Sequence, residues 1–137
     1  MTTLVPGYLA PASRYAGDDW AGSNALKFSV YTILPVLNSD GTVTAGTLMN
    51  LTGFSVLGTI WKRSEGSPLP APTGAILGDP TLGTITLSLA SQYTQGLPTQ
   101  SYADWSNPDL SFLLVRPRIV DPAGNIITQG IQPLFVF

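Results

Sequence analysis

The sequence has no cysteine, no histidine and a single glutamate, Glu65, in 137 residues. Without cysteine there is no disulfide framework and no thiolate metal site. Without histidine the commonest general base and the commonest metal ligand are missing, and Ser-His-Asp and Cys-His arrangements are impossible by count. Charge is scarce as well: 10% of residues are charged while 44% are apolar, against about 25% charged in average soluble domains. The six basic residues, Arg14, Lys27, Lys62, Arg63, Arg116 and Arg118, are scattered, and the net charge is −2. The clustered positive charge that nucleic-acid binding needs is therefore absent. Apolar runs are only a few residues long, where a bilayer-spanning helix needs about 20. Residues 1–6 also lack the charged start and apolar segment of a signal peptide. The expectation is a soluble protein made in a cytoplasm, with no cofactor, metal, nucleic acid or membrane among its partners.

The remaining polar residues offer little chemistry. A Ser-Lys pair is arithmetically possible with Lys27 or Lys62, but Lys27 falls on the outward parity of a strand and Lys62 ends one. Asp18 and Asp19 are adjacent and lack the spaced acidic pattern of a calcium loop. Asp104, Asp109 and Asp121 sit beside Trp, Pro or turn residues and read as corner formers. The glycines form neither a dinucleotide fingerprint nor a phosphate loop. Asn50-Leu51-Thr52 matches the glycosylation acceptor pattern, which reads as chance in a chain without a secretion signal. The protein is expected not to be an enzyme.

Strand signals dominate what is there. Leu26, Phe28 and Val30 alternate with Lys27, Ser29 and Tyr31, the period-two pattern of a half-buried strand. Asn38-Ser39-Asp40-Gly41 predicts a tight turn, with Asp-Gly supplying the positive-φ position, and a short strand through Val43 follows. Phe54, Val56 and Ile60 share a face with Gly58, while Leu57 and Trp61 face the other way. Glycine at that mid-strand position signals a bulge or a close backbone approach. Residues 64–80 carry Pro68, Pro70, Pro72 and Pro80 and predict a long loop without regular pairing. Ile85, Leu87 and Leu89 form the cleanest strand, with Thr84, Thr86 and Ser88 outward. Leu113, Val115 and Ile119 oppose Arg116 and Arg118 on a further strand. Asp121-Pro122-Ala123-Gly124-Asn125 is a turn, and Ile127, Ile131, Phe135 and Phe137 share a parity in the closing segment. Residues 1–25 show neither period. They are expected to form an extended, apolar N-terminal arm, docked on its own domain or on a neighbour, ahead of one domain at 26–137. The fold class expected is all-β: a single antiparallel β-sandwich (Ig-like) of about seven or eight strands, with a small barrel as the alternative.

Two blocks carry a resemblance. In the first, Leu51-Thr52-Gly53 leads into an alternating strand that ends at Lys62. In the second, Gly83 opens an alternating strand, followed by Thr94, the Leu97-Pro98 corner and Tyr102. This order over residues 26–137 resembles the small β-sandwich modules of tailed-phage tails and baseplates, such as the N-terminal domain of phage upper baseplate proteins. One departure is Asn50, where the acidic residue usual before Leu-Thr-Gly is missing. The resemblance implies a non-enzymatic virion structural protein, assembled in the host cytoplasm, whose partners are other phage structural proteins and copies of itself. A tail, baseplate or tail-fibre adaptor is the first expectation. A capsid decoration protein and a host-surface carbohydrate-binding module are the alternatives.

A surface so poor in charge is either neutral and polar or covered by neighbouring subunits, and the second reading selects candidates for contact. Leu4, Tyr8, Tyr15 and Trp20 lie on the expected arm. Leu57 and Trp61 lie on one strand face opposite the expected core, and Phe112 and Leu114 on another. A glycan, were one bound, would stack on Trp20, Trp61, Trp105, Tyr93 or Tyr102, although aromatic residues in β domains serve more often as core or interface anchors.

Overall fold

The computed structural model describes residues 2–3 and 10–137. It is an all-β molecule, 41% strand and 14% helix, with its strands divided among several sheets. In chain order these are β1 (Thr2–Thr3), β2 (Ala12–Arg14), β3 (Leu26–Ser29), β4 (Tyr31–Ile33), β5 (Val36–Leu37), β6 (Val43–Thr44), β7 (Thr47–Leu48), β8 (Ser55–Lys62), β9 (Thr73–Ile76), β10 (Thr84–Ser88), β11 (Leu113–Val120), β12 (Ile126–Thr128) and β13 (Gln132–Val136). One α-helical turn, α1 (Ser91–Thr94), and several short 3-10 turns link them.

The larger sheet is built on β11. Its whole length pairs antiparallel with β8, from Leu113 against Lys62 to Val120 against Ser55. Its other edge is shared, with β13 pairing its first half and β12 its second. A three-stranded sheet, β3-β10-β9, faces it. Alternation explains both. Val56 and Ile60 of β8, Leu113, Val115 and Ile119 of β11, and Leu134 and Val136 of β13 point inward. They meet Leu26 and Phe28 of β3 and Ile85 and Leu87 of β10 in one shared core. Period-two burial runs through all eight residues of β11, as the sequence pattern predicts.

The two sheets approach closely where glycine removes a side chain. A Cβ at Gly58 would collide with the Leu87 side chain, and one at Gly74 would collide with the Val56 backbone. The expected close approach at Gly58 is thus the meeting point of the two layers.

Several expectations need correction. Residues 10–25 pack on their own domain, and as an integral strand and core element rather than an appended arm. β2 adds to the large sheet beside β13, and it does so in parallel, so the arrangement is not wholly antiparallel. The Arg14 guanidinium donates to the carbonyls of Ser13, Asn24 and Ala25 at 2.7, 2.9 and 2.8 Å, which folds the segment back on itself. Trp20 is completely buried in the core; its indole N–H donates to the Tyr15 carbonyl at 3.0 Å and its backbone bridges Leu89. The prolines at 64–80 do not abolish pairing either. β9 starts directly after Pro72, where a strand loses no needed N–H, and it pairs with β10 across four residues. Thr86 keeps the parity opposite Ile85 and Leu87 but is buried there rather than exposed, its hydroxyl donating to the Ala75 carbonyl at 3.5 Å.

Candidate functional site

Three exposed apolar regions stand out on the described surface. The first is the outer face of the large sheet. Trp61 is the cross-strand partner of Leu114, Thr59 of Arg116, and Leu57 of Arg118. Directly opposed residues share a face, so these six side chains form one block opposite Val56, Ile60 and Val115. The Arg116 guanidinium lies 4.9 Å from the Trp61 ring centroid, within cation–π range. Neither Arg116 nor Arg118 has an acidic partner among the described residues, where Lys62–Glu65 is the one ion pair, at 3.6 Å. The Arg118 Nε–H is buried and has no acceptor among them. By contrast, Arg14 and Arg63 are spent on backbone carbonyls.

The second region is a ribbon that the sequence only hinted at. From residue 31 to residue 50 no side chain is buried. β4 and β7 pair at its base and β5 and β6 at its tip, with β1 along the other side of β5. Leu34 and Pro35 separate base from tip, and Gly46 lies against the Ile33 carbonyl and Pro35 too closely for any Cβ. At the tip, Asn38 Nδ2 donates to Thr42 Oγ1 at 3.0 Å and to Thr44 Oγ1 at 3.1 Å. Asp40 Oδ1 accepts from the Thr42 hydroxyl at 2.6 Å and the Thr42 backbone N–H at 3.0 Å. These bonds hold the exposed Asp40 carboxyl below its ordinary pKa, the hydroxyl contributing most. Ile33 and Val43 are 61% and 58% exposed, and Leu37 and Leu48 are exposed as well. Leu37 and Val43 oppose each other across the hairpin and so share a face.

The third region is aromatic. A 3-10 turn at Tyr102–Ser106 places Tyr102 and Trp105 three residues apart, which in that helix sets them side by side. The Tyr102 ring stacks on Phe137 at 4.4 Å, and Trp105 meets Phe135 edge-on at 5.2 Å. Phe135 is thereby buried on the face of β13 opposite the shared core. Tyr102 itself remains 68% exposed. Its hydroxyl lies next to that of Tyr15, and the hydrogen bond and charge repulsion between them raise its pKa.

A shallow depression of about 270 Å³ lies between Arg63 and Phe112. Among the polar side chains that line it, Arg63, Gln100 and Ser111 are committed to structure. Arg63 donates to the Ser111 hydroxyl at 2.7 Å, and Gln100 donates to the Leu110 carbonyl at 2.7 Å and accepts from the Phe112 N–H at 2.8 Å. Among the described residues, no three His, Cys, Asp or Glu side chains gather as a metal site would require.

The predicted contact residues thus divide. Leu57, Trp61 and Leu114 come together on the outer sheet face. Phe112 does not join them fully; it packs partly against the core at the edge of the depression. Tyr15 is exposed beside Tyr102. Trp20 is unavailable for contact because its own domain encloses it. Leu4 and Tyr8 lie outside the described residues. The rings considered for glycan stacking also separate: Trp20 is core, Trp61 carries Arg116, and only Tyr102 and Trp105 stand together. Sequence reasoning missed the ribbon residues Ile33, Leu37, Val43 and Leu48. The Asp40-Gly41 turn between Val36-Leu37 and Val43 was the available signal for its tip. No family model matches the chain, and no curated protein matches it.

Proposed function

We propose that the chain is a non-enzymatic structural subunit of a tailed-phage virion, serving as an adaptor at the tail, baseplate or tail-fibre attachment. The observation that carries the assembly reading is the ribbon. It spans residues 31–50 without one buried side chain and still exposes Ile33, Leu37, Val43 and Leu48. A small hairpin with no core is marginal in water, and apolar surface concentrated on such an element marks contact with another macromolecule. The outer sheet face, with Leu57, Trp61 and Leu114 together, supplies a second contact surface on the opposite side of the core layer.

The phage assignment rests on the ordered resemblance at residues 26–137. Two facing sheets support reading the domain as one β-sandwich. Seven strand positions result if β12 and β13 count as one interrupted strand beside β11, with β2, β8, β3, β10 and β9 completing the pair of layers. Mechanically, such a domain acts as a rigid spacer that presents a ribbon and a sheet face to its neighbours.

Purified particles carrying an epitope-tagged copy of the chain, imaged with gold-labelled antibody, test this function. Label at the tail or its tip is the expected result. Label over the capsid shell would move the assignment to decoration, and particles without label would reject the virion role. A second reading, host-surface glycan binding, is favoured by the exposed Tyr102 and Trp105 pair backed by Phe137 and Phe135. Retention of the isolated protein on immobilised cell-wall polysaccharide, lost in Trp105→Ala, would support it.

A further inference from the structure

We infer that the ribbon of one copy docks across the outer face of the large sheet of a second copy, the Asp40 tip meeting Arg116 and Arg118. This inference rests on the assembly reading above and names both the partner and the surfaces.

Three observations favour a second copy as the occupant. The first is charge. Residues 31–50 contain one charged side chain, Asp40. Only its Oδ1 is engaged by Thr42, which leaves Oδ2 open to a donor. The outer face carries the opposite deficit: two guanidinium groups without acidic partners among the described residues. A carboxylate suits a guanidinium fork geometrically as well as electrostatically. The second is apolar match. Leu37 and Val43 share a face of the ribbon tip, and Leu57, Trp61 and Leu114 flank the two arginines on the sheet. The third is scarcity. Arg14, Arg63 and Lys62 are committed within their own chain, and Lys27 stands alone on β3 of the other sheet. Arg116 and Arg118 are thus the paired cations left to answer Asp40 on an apolar face.

Because the two surfaces differ, the contact is heterologous, and repeating it closes a ring or extends a chain of copies. A single copy in such an assembly uses its ribbon on one neighbour and its sheet face on the other.

Sedimentation velocity across a concentration series provides the test, with circular dichroism confirming that each variant is folded. The wild type should associate with increasing concentration. Asp40→Lys alone, and Arg116→Glu with Arg118→Glu, should each weaken association by about tenfold or more. The chain bearing all three substitutions should recover it, because the charges are then exchanged rather than removed. A wild type that stays monomeric throughout, or a triple variant no better than its parents, overturns the inference. The phage reading fails separately: self-association by this charge pairing, with no chain detected in particles, would reject the virion role and keep the contact. A monomer that is nevertheless present in particles would do the reverse.

Discussion

At the scale of single residues, glycine decides how close the two layers come. Gly58 lies in the middle of β8, where glycine would ordinarily weaken a strand, yet the Leu87 side chain occupies the space that its Cβ would take. The sequence showed that position 58 shares the face of Val56 and Ile60, but it could not show which side chain fills the gap, because Leu87 comes from the other sheet. Gly58→Val should therefore overpack the core and destabilise the domain by about 1–3 kcal/mol. The urea midpoint measures this, with Gly66→Val as the control. Gly66 has positive φ but nothing near its Cβ, so any loss there is backbone strain rather than collision. An unchanged midpoint for Gly58→Val would mean that layer packing is not what glycine serves at 58.

At the scale of elements, strand legibility follows how local the cause of the strand is. β3, β8, β10 and β11 were readable because burial on one face writes period two into their own residues. β2 was not. Its residues, Ala12, Ser13 and Arg14, carry no alternation of their own, and what makes them a strand is β13 offering a parallel edge more than a hundred residues away. β9 was hidden by prolines that proved to flank it rather than interrupt it. Trp20 illustrates the same limit: aromatic character marked it as an anchor, but only tertiary structure tells an anchor in the core from one at an interface. Removing residues 1–25 should thus unfold the domain rather than merely detach an arm, since it strips β2 and Trp20 together. Trp20→Ala alone should cost about 3–5 kcal/mol, the range for deleting a buried Trp side chain. Chemical denaturation of this variant beside wild type is the measurement. A truncated chain with native circular dichroism would show that the segment contributes little to the core.

At the scale of the whole molecule, two parts with different sources of stability share one chain. The facing sheets bury their apolar residues against each other in one shared core. No ribbon side chain is fully buried and only Met49, at its base, packs against the core, so its backbone hydrogen bonds are supported chiefly by its own turns, by β1 and by the anchor of the Met49 N–H on the Val30 carbonyl at 2.9 Å. Local opening free energy scales with buried contacts, which sets an order of exchange for amide protons. In the monomer, at low concentration, residues 36–44 should exchange far faster than β10 and β11, whose amides open only with the global transition. If the ribbon seats on a neighbouring copy, raising the concentration should slow exchange in residues 36–44 and leave β10 unchanged, because contact protects the docked element and not the core. Hydrogen exchange read by mass spectrometry resolves the two segments in one experiment. Ribbon amides as protected as those of β10 in the monomer would show that the element is stable without a partner, and the physical reason for expecting it to seek one would then be gone.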